Sequence, residues 1–187
     1  MKKLAVLVAA LLVAAPAFAG NTGYVKLSLW DNIAVAVPNN IHNITGLDLG
    51  IGSKADTVDG IQWDFIYNDA HKVRGIKSAF FYDTADIVYG LQGGLVTVNR
   101  QDMRGIQGGL VAISNGKLQG LQDGYVNWST GEVIGVQLGL VNVANRLTGV
   151  QLGFVNYVST IKGLQIGLLN IAKNGYLPAM IIVNGRF

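Results

Sequence analysis

Apolar and polar positions along the chain recur with a fixed period. GVQLGLVN occupies residues 135–142, GVQLGFVN follows at 149–156 and GLQIGLLN at 163–170. A repeat this short and regular predicts a tandem array of similar units. Steps of 14 or 15 residues reach a glycine in nine units: Gly46, Gly60, Gly75, Gly90, Gly105, Gly120, Gly135, Gly149 and Gly163.

The other columns of the repeat are numbered from this glycine, which is column 0. Column 1 is always Leu, Ile or Val, and column 2 is Gln in seven of nine units, with Asp48 and Lys77 as exceptions. Column 4 is mostly Gly, column 7 is Asn in the last units, and an apolar residue lies two positions before each glycine. Frequent Gly, Val and Ile without a 3.6-residue stripe favour strand over helix.

The alternation of apolar residues reverses twice in each unit. Apolar side chains occupy columns 1, 3 and 5, then columns 6 and 8, and return to odd columns in the next unit. Successive residues of a straight strand point to opposite faces, so the reversal predicts a coil with two corners. In the unit at Gly135 we expect Val136, Leu138, Leu140, Val141, Val143 and Leu147 inside, and Gln137, Gly139, Asn142, Ala144 and Arg146 outside.

The sequence therefore predicts an all-β protein, a parallel β-solenoid or β-roll of nine to ten coils of 14–15 residues. The alternative is an antiparallel outer-membrane β-barrel of about 10–12 strands. Columns 1–5 span about 16 Å at 3.3 Å per residue, which is short for a membrane-crossing strand. The terminal Phe187 and the alternating segment YVKLSLW at 24–30 favour the barrel.

The two ends differ from the array in composition. Residues 1–19 have a basic start, an apolar run at 4–15 and a small-residue site at 17–19, a pattern typical of a secretory signal. We expect terminal strands or caps at 20–45 and 177–187, with the repeat array at 46–176. An exported protein without cysteine has no disulfides. The predicted location is the cell envelope, at the cell surface, in the outer membrane or in the periplasm.

Charge and candidate chemistry exclude several function classes. The chain has 14 Lys and Arg against 11 Asp and Glu, and two of the lysines lie in the predicted signal, so a nucleic-acid partner is not expected. Asp69 with His71, and Asp83 with Asp86, are the candidate acid–base or metal pairs, but neither has a third ligand or a partner base. We expect no enzymatic activity, no metal and no cofactor.

The glutamine column is the candidate binding site. Stacked glutamines form a hydrogen-bonded ladder in a parallel array, which is the structural interpretation. The functional interpretation is a flat Gln/Gly outer face for self-association or for a surface ligand. Its residues are Gln92, Gln107, Gln122, Gln137, Gln151 and Gln165.

The repeat motif resembles that of a family of bacterial exported surface-repeat proteins. The resemblance rests on G-(L/V)-Q-x-G-(L/F)-(V/L)-N at 135, 149 and 163, on VKLSLW at 25–30, and on LPAMIIVNGRF at 177–187. The units at 60–68 and 75–83 depart from it. It implies a surface or envelope location and no established activity. The role expected from the Gln/Gly face is that of a non-enzymatic structural, adhesive or self-associating module. The alternative role is that of an integral outer-membrane barrel, as a small pore or an envelope scaffold.

Overall fold

The protein is built from strands that wind into a coil. A computed structural model describes residues 22–31, 33–36 and 42–187, and all regular structure in these ranges is strand. The predicted signal at 1–19 lies outside the described residues. The strands are β1 (Thr22–Trp30), β2 (Ile33–Ala36), β3 (Asn43–Ala79), β4 (Tyr82–Asn99), β5 (Met103–Ser114), β6 (Leu118–Leu138), β7 (Val141–Leu152), β8 (Val155–Ala172) and β9 (Ala179–Arg186).

Consecutive strands stack in parallel, which confirms the solenoid. The strand order is β2-β1-β3-β4-β5-β6-β7-β8-β9, and the pairs from β1–β3 to β7–β8 are parallel. Repeat columns lie in register, with Gln107 beside Gln122 and Asn142 beside Asn156. The antiparallel barrel is wrong, because β1 and β9 lie near opposite ends of this order and do not pair with each other.

Antiparallel strands flank the stack at both ends. At the first end β2 pairs with β1, and at the last end β9 pairs with β8, where Gln165 lies opposite Asn184. The terminal strand β9 therefore covers the backbone edge of the last parallel coil. An uncovered edge of this kind would be a template for uncontrolled pairing with another chain.

The column-0 glycines allow each coil to bend. All nine have φ between 130° and 148°, a region that other residues rarely adopt. A Cβ on Gly149 would also lie 1.9 Å from the carbonyl oxygen of Gly135, its neighbour in the preceding coil. Both the backbone conformation and the close approach of adjacent coils therefore require glycine.

The two reversals per coil are confirmed, but the predicted assignment of inside and outside is wrong. Gln137, Asn142 and Ala144 were expected outside and are buried. Of the residues expected inside, only Leu147 is fully buried, whereas Val136, Leu138, Leu140, Val141 and Val143 are partly or largely exposed.

The width of the coil explains this inversion. The Nε2 of Gln137 donates to the carbonyl oxygen of Val143 at 3.4 Å, beyond the corner of the same coil. The space between these two walls is thus filled by one amide side chain, with no room for opposing rows of Leu and Val. The larger buried apolar side chains lie two positions before each glycine: Val58, Val73, Val88, Met103, Leu118, Val133, Leu147 and Ile161. Smaller ones, mostly alanine, are buried near column 9, as Ala144 and Ala172 show.

Candidate interaction surface

The six glutamines of the predicted site form a ladder inside the coil. All of them are at most 2% exposed, so they present no outer Gln/Gly face and that prediction is wrong. From Gln107 onward each Nε2 donates to the Oε1 of the preceding glutamine, at 3.1 Å for Gln122 to Gln107, 2.7 Å for Gln137 to Gln122 and 2.6 Å for Gln151 to Gln137. At one end of the ladder the Nε2 of Gln107 donates to the Oε1 of Gln92 at 3.5 Å. At the other end the Nε2 of Gln165 donates to the Oε1 of Gln151 at 2.7 Å.

A second amide ladder fills the neighbouring part of the interior. The Nδ2 atoms of Asn127, Asn142 and Asn156 each donate to the Oδ1 of the next asparagine at 2.8 Å. They also donate to column-3 carbonyl oxygens of the adjacent coil, such as that of Leu138 at 2.6 Å from Asn127. These bonds satisfy buried groups that would otherwise be costly.

The column-4 glycines make room for the asparagines. A Cβ on Gly153 would lie 2.5 Å from the Nδ2 of Asn142 and 2.4 Å from the carbonyl oxygen of Gly139. The recurring letters G-x-Q-x-G-x-x-N are therefore a packing rule for the interior. The first Gly allows the bend, the Gln places an amide in the interior, the second Gly leaves space beside it, and the Asn places a second amide in that space.

Charged residues replace the ladder in the first coils. Lys77 and Asp48 occupy the glutamine column and are fully buried. The Nζ of Lys77 lies 3.5 Å from Asp83, and the Nζ of Lys26 lies 4.0 Å from Asp48. Burial lowers the pKa of Lys77 and raises that of Asp83, while the attraction between the two charges offsets part of each change.

Asp64 is the third buried carboxyl group in this region. Burial, reinforced by the negative charge of Asp48, raises the pKa of Asp64 to about 7. The nearby cations Lys77 and Lys26 oppose this shift only in part. The folded protein therefore holds a proton on Asp64 well above the pH at which an exposed aspartate loses it.

The sequence-predicted acid–base candidates separate into different environments. Asp83 is buried against Lys77, whereas Asp86 lies on the surface and pairs with the Nδ1 of His71 at 2.6 Å. Arg100 contacts Asp86 and donates to Asp69 at 2.7 Å, so these four surface groups link three coils. Partial burial tends to raise the pKa of Asp86, but the hydrogen bonds from Arg100 and His71 outweigh it, so the pKa is lowered. In the part of the chain that the structure describes, no group of three or more potential ligands could hold a metal.

The outer surface of the coil is apolar on two sides. One side carries columns 1, 3 and 5, and from the unit at Gly90 onward the other carries columns 6 and 8. In the units at Gly60 and Gly75 column 8 points inward as Asn68 and Asp83. The two sides meet at a ridge, because columns 5 and 6 both point outward. Exposed residues of the ridge and its flanks include Phe65, Phe80, Leu110, Tyr125, Trp128, Leu140, Leu152, Phe154, Ile166, Leu168 and Leu169. We call the two sides together the apolar surface.

The exposed charges collect on the remaining side. From Gly46 to Lys173, every charged side chain that is not buried lies between column 9 and the next glycine, except for Lys54, Asp69 and Asp123. We call this the charged side. Its members include Arg74, Asp86, Arg100, Asp102, Arg104, Lys117, Glu132, Arg146 and Lys162. Sequence reasoning missed this separation because it placed the apolar columns in the core.

Two further findings bear on the function of this surface. None of the described residues forms a helix that is long and apolar enough to span a membrane. Comparison of the chain with protein-family models, curated proteins and solved structures finds no match. Functional inference therefore depends on the geometry of the coil and on the separation of its apolar and charged surfaces.

Proposed function

We propose that this chain is a non-enzymatic structural repeat protein, exported to the cell envelope, that acts through its apolar surface. The observation that supports the proposal is the extent of that surface, which follows two sides of the coil from the first repeats to Leu168. Soluble monomers rarely expose continuous apolar patches larger than a few hundred Å². A surface of this kind indicates an interaction site. It replaces the Gln/Gly face in the role expected from the sequence.

The internal bonding of the coil supports a structural role. Parallel backbone ladders and buried apolar side chains connect the coils along the stack, and two amide ladders reinforce the later coils through buried groups. Stability in such arrays comes from interfaces between neighbouring units. Because the interior supplies these interfaces, the outer side chains are available for association.

The most polar surface cluster also fits a structural role. Asp69 and Asp86 pair with Arg100, and Asp86 also pairs with His71, across adjacent coils. Such pairs stabilise the stack modestly. Export is supported by the signal-like pattern of residues 1–19, which would deliver the chain to the envelope.

The experiment is fractionation of a Gram-negative host that expresses the full chain. The test variant carries Leu110→Asp, Leu140→Asp and Leu168→Asp, three exposed column-5 residues in alternate coils. We call it the ridge variant. Its control, the charged-side variant, carries Asn115→Asp, Asn145→Asp and Thr160→Asp at exposed positions.

Wild type and the charged-side variant should be recovered with the envelope membranes or in large assemblies, and the ridge variant in the soluble periplasmic fraction. Far-UV circular dichroism checks that all three proteins are folded. Equal retention of the folded ridge variant and of wild type would contradict the proposal. Recovery of wild type in the cytoplasm would contradict the export that it includes.

A further inference from the structure

We propose that the partner of the apolar surface is lipid: the coil lies along a bilayer with its ridge in one leaflet and its charged side in water. This inference rests on the proposed function, because it names the partner of the same surface. Amphipathic elements that bind membranes from one side show the same separation, with an apolar face in the acyl region and a charged face in water.

The shape of the apolar surface favours a fluid partner. Its two sides diverge from a convex ridge, where Leu140 is followed by Val141 and Phe154 by Val155. A second folded chain with a flat face would cover one side and leave the other exposed. Acyl chains adapt to a convex ridge and cover both sides together.

The size of the apolar side fits one leaflet. Columns 1–5 extend about 16 Å at 3.3 Å per residue. The hydrocarbon core of a bilayer is about 30 Å thick, so one leaflet contributes about 15 Å. Columns 1–5 are therefore too short to cross the whole bilayer, but their length matches the thickness of the one leaflet that a protein entering from one side would occupy.

The backbone at the ridge meets the main requirement of a lipid environment, in which unpaired polar groups are costly. The N–H of Leu140 donates to the carbonyl oxygen of Tyr125 at 3.0 Å. The N–H of Val155 donates to the carbonyl oxygen of Leu140 at 2.9 Å, and the N–H of Leu169 donates to the carbonyl oxygen of Phe154 at 2.9 Å. The ridge therefore carries its apolar side chains on a backbone that is bonded from coil to coil.

Lys54 and Asp123 are charged residues outside the charged side that this orientation has to accommodate. Lys54 pairs with Asp31 at 3.0 Å, so Asp123 is the sharper test. It lies in column 3, among apolar neighbours on the outer surface, and is exposed. A carboxylate near acyl chains is unfavourable. It lowers the affinity for lipid, and its removal should raise that affinity.

The first test is flotation of the purified full chain with phosphatidylcholine vesicles at 0.15 M and 0.5 M salt. We expect wild type and the charged-side variant to float at both salt concentrations, because apolar contact is not screened by salt. The ridge variant should bind about 100-fold more weakly, and Asp123→Leu about 10-fold more tightly. All variants share residues 1–21, so differences between them report on the coil.

The second test measures insertion by fluorescence quenching. Trp30→Phe and Trp63→Phe leave Trp128, an exposed side chain of column 8, as the only tryptophan. Lipids brominated on their acyl chains should quench Trp128. In the same background, Trp128→Phe with Asn145→Trp moves the fluorophore to the charged side, and quenching should disappear.

Two outcomes would overturn the lipid inference. One is binding of the folded ridge variant equal to that of wild type. The other is that the wild-type protein does not bind vesicles and forms a defined oligomer in lipid-free buffer. That result would identify a second copy of the chain as the partner. If envelope retention still depends on the ridge in that second case, the proposed function stands without lipid. If retention is also independent of the ridge, both proposals fail.

Discussion

Truncation of adjacent residues Gln151 and Leu152 tests the inverted interior directly. The Nε2 of Gln151 donates to Gln137 at 2.6 Å and to the carbonyl oxygen of Tyr157 at 3.3 Å, and its Oε1 accepts from Gln165 at 2.7 Å. Gln151→Ala removes all three bonds. Leu152 points outward and is 37% exposed. An apolar-inside coil predicts a mild effect for Gln151→Ala and a severe effect for Leu152→Ala.

The structure predicts the opposite: Gln151→Ala should destabilise the protein more than Leu152→Ala does. Each lost hydrogen bond contributes about 1 kcal/mol, and the buried Oε1 of Gln137 left without a donor costs a further ~1–3 kcal/mol. We therefore expect Gln151→Ala to lower the free energy of unfolding by about 4–6 kcal/mol. Leu152→Ala should cost less than about 1 kcal/mol, as is usual for surface substitutions.

The assay is urea unfolding at 25 °C, followed by far-UV circular dichroism and by tryptophan fluorescence. Midpoints of the two signals are compared first, because stacked repeats can unfold in parts. Gln101→Ala is the matched control, since it makes the same truncation at an exposed position. A midpoint for Gln151→Ala equal to that of Gln101→Ala, together with a large loss for Leu152→Ala, would refute the assignment of the interior.

Three other predictions concern the bends, the buried carboxyl group and the two kinds of apolar column. Gly149→Ala should prevent folding, as measured by circular dichroism, because of its φ of 141° and a clash at 1.9 Å, whereas Gly108→Ala, with the nearest atom at 3.9 Å, should fold like wild type. Since folded Asp64 keeps its proton up to a pKa of about 7, the contribution of this group to stability should fall between pH 4 and pH 7 by roughly 3 kcal/mol. Asp64→Asn should remove that part of the pH dependence, and identical urea midpoints against pH in both proteins would contradict it. Leu147→Asp should unfold the coil by burying an unpaired charge, while Leu152→Asp should leave it folded. Equal thermal transitions of the two variants would show that the column before the glycine and column 3 do not differ in burial.

The sequence was sufficient for the period, the parallel stacking and the position of the bends. A glycine every 14 or 15 residues fixes the register of the coils, and the shift of apolar residues between columns 5 and 6 marks a corner. The column two positions before each glycine was correctly expected to be apolar and inside, as Leu118 and Val133 show.

The direction of the other columns could not be obtained from the assumption that apolar side chains point inward. That assumption holds only when the interior is wide enough to receive them, and here one amide fills the space between two walls. One sequence signal was available. Columns 2 and 4 share a face, and a face that alternates Gln with Gly suits a narrow space that holds an amide and excludes the next side chain.

The contacts among the polar residues required the coordinates. Asp69 and His71 are close in sequence, yet each pairs with a residue of a different coil, Arg100 for one and Asp86 for the other. Asp83 and Asp86 are three residues apart but lie inside and outside the coil. Whether a side chain points inward near a corner depends on the local bend, which the spacing of two charges does not specify.

The polar interior leaves the composition of the exterior free in this fold. The amide ladders connect the coils through bonds that are shielded from water, so stability does not depend on which side chains cover the outside. The outer columns can therefore vary, as Trp63 and Leu138 in column 3 and Phe65 and Leu140 in column 5 show, while the inward Gln of column 2 recurs. The interior therefore does not require an apolar exterior, and the proposed contact with lipid supplies a reason for the exterior to stay apolar.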